Sequence, residues 1–447
     1  MSEFNAEKVK GDTAWFVHDR FGMFIHFGLY SLPARHEWIK NIECISEEKY
    51  DKYFKYFNPD MLDIKDWIKR AKAAGMKYAV LTTKHHEGFC LFDTKYTDYN
   101  VMNTPYGKDI VKEFVETCRE EGLKVGLYHS LIDWHHPDFT IDWLHPRRND
   151  KDAYEQNQGR DMARYREYLH NQVREIMTNY GKIDILWFDF SYIEKNWGSL
   201  CPWEDAKDWM KGKWSEDWDA ENLLKMIREL QPGIIINDRT GILQDVTTPE
   251  QAAIKYGVFN NKTGEPLTWE ACHTFSGSWG YHRDEMTWKS PTMLIQLLIN
   301  IVSCGGNLIM NVGPTSRGYL DKRAINALGE YEEWMKYNNR SIYGCGKASS
   351  EFEVPDGCKL TQSADGKRLY IHLFEYPFKK FEMKNMADKV DYAQFLHDGS
   401  EILTSRAKKR PDSALARYGD FDPNVLYFHV PEVKPDVIVP VIEIFLK

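Results

Sequence analysis

The feature of this chain that most constrains its fold is a theme repeated three times: the end of a helical segment, a glycine, a lysine and an apolar strand. It reads KAAGMKYAVL at residues 72–81, REEGLKVGLY at 119–128 and NYGKIDILWF at 179–188. Glycine is the expected residue just past a helix C-terminus. Strands that are apolar throughout are typical of parallel sheets covered on both faces. The theme therefore predicts successive βα units.

The alternation continues along most of the chain. The pattern predicts strands at 21–28, 77–86, 123–132, 183–190, 234–240, 268–275 and 307–314. Helices are predicted between and after them at 63–75, 109–122, 162–181, 220–233, 290–306 and 321–339. About seven units in this length fit an α/β fold of the (β/α)8-like (TIM-type) barrel class better than a doubly wound sheet. No G-x-G-x-x-G turn follows the first strand, which disfavours a dinucleotide site.

The pattern changes after residue 345. The segment CKLTQSADGKRLYIHLFEY (358–376) has a turn signal between two alternating runs, and short strand patterns follow it. We expect a catalytic barrel over 1–345 and a small C-terminal antiparallel β-sandwich domain over 346–447. Two long connections rich in Trp and His, 133–159 and 192–219, are expected on the functional face of the barrel.

Composition excludes several classes of partner. The 447 residues carry a formal net charge of −9, so nucleic acid and anionic membranes are not expected partners. No apolar run is long enough for a membrane span, and the first residues do not have the pattern of a secretory signal. Eight scattered cysteines without a CxxC pair favour a reducing cytoplasm. Aromatic residues make up 14% of the chain, which suits a site that stacks on sugar faces.

Active sites of such barrels lie at the C-terminal ends of the strands. Polar residues occupy those positions here: His26, His85, His86, His129, Asp189, Asp238 and Arg239. Asp189 ends the apolar strand ILWFD and precedes an aromatic segment. It could cap a helix or pair with an arginine, but a partly desolvated carboxylate also suits a nucleophile or an electrostatic stabiliser.

Glycoside hydrolysis needs two carboxyl groups, one ionised and one that holds a proton for the leaving oxygen. The residues alone do not rank the candidates for the second group, which are Glu37, Glu87, Glu250 and Glu270. Glu250 lies in the segment after the strand 234–240, on the expected active face, where a loop would be mobile.

His85 and His86 are consecutive, so on a strand they would point to opposite faces and not share a metal. Hydrogen bonding to a polyhydroxyl substrate explains the histidines better, although any one of them could be a core residue. Arg239 could bind a hydroxyl group, lower the pKa of a nearby carboxyl, or simply pair with Asp238 or Asp245.

Eight segments in order resemble the retaining α-L-fucosidases of glycoside hydrolase family 29, over roughly residues 14–345. They are GMFIHFGLYSLPARHEW, KYAVLTTKHHEGFCLFDTKYTDYNV, LKVGLYHSLIDWHHP, ILWFDF, INDRTG, TTPEQ, WEACHTFSGSWGYHR and NLIMNVGPTSRG. The resemblance implies a barrel, often with fewer than eight regular strands, and a C-terminal β-sandwich. It assigns Asp189 as nucleophile and Glu250 as acid/base. The substrate-binding set it implies is His26, Glu37, Trp38, His85, His86, Tyr128, Trp187, Arg239 and Trp279.

The resemblance implies hydrolysis of terminal α-L-fucosyl groups from glycans or glycosides, with no metal or organic cofactor and a possible homo-oligomer. Two alternatives stay open. One is a related retaining glycosidase acting on a different sugar, which an apolar contact from Trp279 to a 6-deoxy methyl group would disfavour. The other is a non-catalytic fucose-binding protein, which would be expected to lack one of the catalytic carboxyl groups.

Overall fold

The N-terminal part of the chain folds into a curved parallel sheet surrounded by helices. The computed structural model describes residues 10–192, 207, 209–251, 260, 263–406 and 422–447. Within them the parallel strands are β1 (Phe21–Ile25), β2 (Tyr78–Lys84), β3 (Lys124–Ser130), β4 (Ile185–Asp189), β5 (Ile235–Ile236), β6 (Glu270–Thr274) and β7 (Asn307–Val312). Their order in the sheet is β5-β4-β3-β2-β1-β7-β6. All seven predicted strands are present, and each is shorter than its apolar run.

The six predicted helices are also present among the described residues, together with five that the pattern did not predict. The described helices are α1 (Ala14–Asp19), α2 (Ile39–Ile42), α3 (Glu47–Tyr56), α4 (Ile64–Ala73), α5 (Ile110–Glu121), α6 (Ala153–Gln158), α7 (Met162–Asn179), α8 (Ser215–Trp218), α9 (Ala220–Leu230), α10 (Pro291–Ser303) and α11 (Lys322–Asn338). Side-chain caps fix several starts: Asp63, Asp109 and Ser290 accept from the backbone N–H three residues on. None of the described helices is both long and apolar enough to cross a membrane.

Strand β5 is short because, after Ile236, hydrogen bonds from a side chain replace the backbone hydrogen bonds to β4. Asn237, the next residue, accepts from the Phe188 N–H (2.9 Å) and donates to the Phe188 carbonyl (2.8 Å). The rest of the predicted strand 234–240 then turns into the cavity described below.

The segment 245–251 closes the barrel between β5 and β6. Parallel bridges join Asn237 to Val246, Thr247 to Trp269 and Glu250 to Cys272, so an irregular eighth element completes the ring. The sequence position of Glu250 suggested a mobile loop. The bridges show instead that its backbone belongs to this closing segment. Its backbone is held against β6 by hydrogen bonds from Cys272 N to Pro249 O (3.2 Å) and from Gln251 N to Cys272 O (3.1 Å).

Large side chains fill the base of the barrel. Tyr78, fully buried, takes the space beside its register partner Gly22, where a Cβ would lie 2.2 Å from the tyrosine ring. Its hydroxyl donates to Glu270, which also accepts from Trp187 Nε1 (3.3 Å). Burial raises the pKa of Glu270 to about 7. These side chains fill the interior of the barrel below the C-terminal ends of the strands, where active sites of such barrels lie.

The C-terminal part contains two antiparallel sheets. One comprises β8 (Cys345–Lys347), β9 (Cys358–Ser363), β10 (Arg368–Leu373), β12 (Val390–Phe395) and β15 (Val441–Leu446); the other comprises β11 (Lys380–Met383), β13 (Thr404–Arg406) and β14 (Leu426–His429). Strands β9 and β10 are the hairpin predicted around ADGK. Residues from both sheets, such as Ile371, Ile444 and Phe428, share one core. The barrel class and the β-sandwich are thus confirmed, while the boundary at 345/346 stays a prediction.

We expect the closing segment to depend on one buried ion pair. Asp245 accepts from Arg228 (2.6 Å), Ile236 N (2.8 Å) and Gly11 N (2.6 Å), and the Asp245 and Arg228 side chains are 0% and 4% exposed. Asp245→Ala leaves the Arg228 charge buried without its partner. It should lower the free energy of unfolding by about 3–5 kcal/mol in urea denaturation.

The matched control is Glu120→Ala, which removes the exposed pair with Lys65 and should cost less than about 1 kcal/mol. Equal effects of the two variants would contradict this role of Asp245.

Candidate active site

A cavity of about 1050 Å³ opens at the strand-end face of the barrel. The eleven residues that the family resemblance implies for the site all line it: His26, Glu37, Trp38, His85, His86, Tyr128, Trp187, Asp189, Arg239, Glu250 and Trp279. The same cavity is thus lined by residues spread through the first 250 positions and by the segment 276–279. Their individual roles stay predictions.

Arg239 connects the two predicted catalytic carboxylates. Its Nη1 lies 3.2 Å from Asp189 Oδ1, and its Nη2 lies 3.2 Å from Glu250 Oε2. Thr248 holds the guanidinium in place by accepting from Nε through its hydroxyl (3.0 Å) and from Nη2 through its carbonyl (3.0 Å). The Trp187 ring lies 5.2 Å from the guanidinium carbon. A single fixed cation therefore orients both acids.

The two carboxylates differ in exposure. The Asp189 side chain is 15% exposed and that of Glu250 is 40% exposed. Burial raises the pKa of Asp189 to about 7, with a further increase from the charge of Glu250, while Arg239 and the hydrogen bond from Tyr128 act in the opposite direction. Tyr128 donates to Asp189 Oδ2 at 3.0 Å. Asp189 thus lies deep in the cavity and Glu250 nearer its mouth.

Two histidines offer hydrogen-bond acceptors to the cavity. The Asn311 amide donates to the Trp279 carbonyl (2.6 Å), so its oxygen accepts from His26 Nδ1 (2.6 Å). The Ser130 hydroxyl donates to the Ile132 carbonyl (2.7 Å), so it accepts from His86 Nδ1 (2.7 Å). Both assignments leave Nε2 without a proton in the neutral ring.

Burial lowers the pKa of His26 to about 4 and that of His86 well below its usual value, so both rings are neutral. His86 Nε2 lies 3.7 Å from Asp189 Oδ2. His85 lies beside His86, with ring centroids 4.1 Å apart. The expectation that these neighbours point to opposite faces is wrong because β2 ends at Lys84, before either histidine.

Glu37 adds a further acceptor. Its Oε2 accepts from the backbone N–H groups of Trp279 (3.1 Å) and Gly280 (2.9 Å) and from the Ser278 hydroxyl (3.3 Å). Its buried Oε1 accepts no hydrogen bond from the described residues. Together with the two histidines, Glu37 forms a set of acceptors that matches the hydroxyl donors of a sugar.

Aromatic rings form the cavity walls. Trp187 stacks with Tyr128 at 5.9 Å, and Trp279 lies 5.3 Å from His26 and 6.2 Å from Phe24. Trp38 packs edge-on against His86 at 5.1 Å. The rings present apolar faces next to the acceptors, as a site for the two sides of a sugar ring requires.

The other carboxylate candidates do not line this cavity. Glu87 accepts from Leu29 N (3.0 Å) and the Tyr50 hydroxyl, and Glu270 lies in the barrel base. His129 is likewise a buried core residue, bonded to Thr83 (2.9 Å). Asp238 does line the cavity, where it accepts from the Thr248 hydroxyl (3.0 Å).

Sequence reasoning missed several lining residues, including Phe190, Trp214, Gln251 and Lys289. Of the long connections, 133–159 is described and contains α6, while 193–206 and 208 of the second lie outside the described residues. Phe190 has a φ of 90°, a strained backbone that no residue pattern signals.

A (β/α)8-like barrel with two carboxylates and several hydroxyl acceptors in one strand-end cavity has the arrangement of a glycoside hydrolase. A family model described as alpha-L-fucosidase matches residues 2–340. The chain is 28% identical to an alpha-L-fucosidase of Dictyostelium discoideum over 396 residues, covering 81% of this chain and 78% of the relative.

Two solved structures are similar over nearly the whole chain. Alpha-L-fucosidase isoenzyme 1 from Paenibacillus thiaminolyticus is 42% identical, with a TM-score of 0.85 and coverage of 97% of this chain and 98% of that one. A Bacteroides thetaiotaomicron alpha-L-fucosidase of family GH29, a mutant trapped as a covalent intermediate with 2-fluoro-fucosyl fluoride, is 27% identical, with a TM-score of 0.79 and coverage of 99% and 98%. The chain belongs to the α-L-fucosidase family, glycoside hydrolase family 29, and is an enzyme of that class.

The hydrogen bond from Tyr128 should be visible in the pH dependence of activity. Asp189, the predicted nucleophile, must be ionised to attack, so kcat/KM should fall as the pH drops below its pKa of about 7. Tyr128→Phe removes a bond that favours the charged form, which raises this pKa. The acidic limb of the kcat/KM profile for an aryl α-L-fucoside should move up by about one pH unit.

Tyr165→Phe is the control, since that hydroxyl bonds to the Leu131 carbonyl (2.6 Å) and does not line the cavity. A limb that stays in place in Tyr128→Phe, or moves equally in both variants, would contradict the assignment.

Proposed function

We propose that this chain is a retaining exo-α-L-fucosidase that removes terminal α-L-fucosyl groups from glycans or glycosides. The observation that supports it best is the shared guanidinium: Arg239 bonds to Asp189 and Glu250 at once, beside acceptors for sugar hydroxyl groups. Such a pair of carboxyl groups is the apparatus for glycosidic cleavage.

In the first step Asp189 attacks C1 of the fucosyl group, and a C1–Oδ bond forms as the glycosidic bond breaks. Glu250, in its protonated form, transfers its proton to the leaving oxygen. Asp189 is suited to the attack because it lies deep in the cavity, while Arg239 and Tyr128 favour its charged form. Glu250 is suited to the proton transfer because its exposed carboxyl group lies nearer the mouth, where the aglycone leaves.

In the second step the Glu250 carboxylate takes a proton from a water molecule. The oxygen of that water attacks C1, and the C1–Oδ bond to Asp189 breaks. Two inversions give net retention. The covalent intermediate named for the Bacteroides enzyme supports this sequence of steps here, since that chain is similar in fold over 99% of this one.

Specificity for a 6-deoxy sugar is attributed to Trp279, which packs beside Phe24. The 6-methyl group of fucose makes no hydrogen bonds in water, so it loses none when it packs against this apolar wall. The 6-hydroxyl of a galactosyl group would lose its partners there. Glu37, His26 and His86 would accept from the ring hydroxyl groups.

Trapping tests the assignment of Asp189. Incubation with 2-fluoro-α-L-fucosyl fluoride should add one fluorofucosyl group per chain, located by peptide mass spectrometry on Asp189. Asp189→Asn should form no adduct and lose turnover of nitrophenyl α-L-fucoside by about 10⁴-fold or more, the size of effect seen when a nucleophile is removed.

Asp238→Asn is the matched control, a neighbouring strand-end carboxylate in the same cavity, and should still be labelled. Glu250→Gln should accumulate the adduct, because fluoride leaves without acid catalysis whereas hydrolysis of the adduct needs the base. Labelling at a residue other than Asp189 would contradict the mechanism, and turnover confined to an α-D-galactoside would contradict the sugar.

A further inference from the structure

The cavity is larger than a fucosyl group requires. Its volume of about 1050 Å³ is slightly above the range of ~300–1000 Å³ that encloses drug-sized ligands. The predicted fucosyl-binding residues gather around Asp189. The remaining space therefore belongs to the leaving group.

The leaving-group side is identified by Glu250, which must reach the glycosidic oxygen. Next to it, the Gln251 side chain donates to the Thr274 hydroxyl at 3.0 Å. The carbonyl of Thr274 accepts from Lys289 Nζ at 2.6 Å. Gln251 and Lys289 both line the cavity, so the ammonium group lies on the side of the acid/base.

Lys289 is the cation in this cavity that has no carboxylate partner among the described residues. Arg239 is committed to Asp189 and Glu250, whereas the described residues give Lys289 Nζ only the Thr274 carbonyl. The acid whose charge acts on Lys289, Glu285, accepts from the Thr287 N–H (2.7 Å) and hydroxyl (2.6 Å). Burial lowers the pKa of Lys289, and the charge of Glu285 opposes this only in part. An anion placed here would gain a charge-assisted hydrogen bond.

We propose that Lys289 makes the leaving-group site selective for fucosides whose aglycone carries an anionic group, a carboxylate or a sulfate, close to the scissile bond. This inference rests on the proposed function, because Glu250 defines which side of the cavity the aglycone occupies. Lys289 acts on binding and does not enter the bond-breaking steps.

The test compares 3-carboxy-4-nitrophenyl α-L-fucoside with its methyl ester in wild type, Lys289→Gln and Lys289→Arg. The readout is the ratio of kcat/KM for the acid to that for the ester, since a general loss of activity affects both and cancels. The ratio should fall by about tenfold or more in Lys289→Gln, the effect of one hydrogen bond to a charged group. It should be largely kept in Lys289→Arg.

Salt provides a second criterion, because the wild-type preference should shrink between low salt and about 0.5 M, where screening is strong. The 3-sulfo analogue separates the two anion sources: whichever anion gives the larger difference between wild type and Lys289→Gln identifies the natural class. The same ratio in wild type and Lys289→Gln, with good turnover of both fucosides, would overturn the anion site alone. If the wild type turned over neither the acid nor the ester, the proposed function would be contradicted and this site with it.

Discussion

The site depends on one cation shared between two acids. Without Arg239, Asp189 and Glu250 would repel each other in a partly desolvated cavity, and the buried one would hold its proton more tightly. With it, Asp189 has a pKa of about 7, a balance between burial, which disfavours the carboxylate, and the guanidinium, which favours it. The barrel contributes by fixing this guanidinium through Thr248, which belongs to the closing segment.

Closure of the barrel is therefore part of the chemistry. The segment that completes the ring between β5 and β6 carries both Thr248, which orients Arg239, and Glu250, the proposed acid/base. Asp245 begins that segment and ties it to α9 and to β5. Packing at the base supports the opposite end of the cavity, since Glu270 holds Trp187 from below.

The alternation of apolar runs with amphipathic segments, together with the helix–Gly–Lys–strand theme that occurs three times, was sufficient to predict the strands, the major helices and the barrel. Hydrophobic periodicity and helix-ending glycines are properties of short stretches of sequence. The resemblance to a family supplied residues that all reach one cavity. The sequence did not predict that Glu250 is pinned to β6, since bridges between single residues leave no periodic pattern. Nor did it predict the shared side of His85 and His86, which depends on where β2 ends. Lys289 was missed because its significance is the lack of an ion-pair partner among the described residues, a property of three-dimensional packing.

The central claim is that two carboxyl groups joined by Arg239 cleave an α-L-fucoside with net retention. Proton NMR of the first turnovers on an aryl α-L-fucoside tests it most directly, because the anomeric proton of the released sugar is read before mutarotation. The account predicts that α-L-fucose appears first and the β anomer grows in later. Initial release of β-L-fucose would contradict it, since inversion would require Asp189 to activate water rather than to form a bond to the sugar.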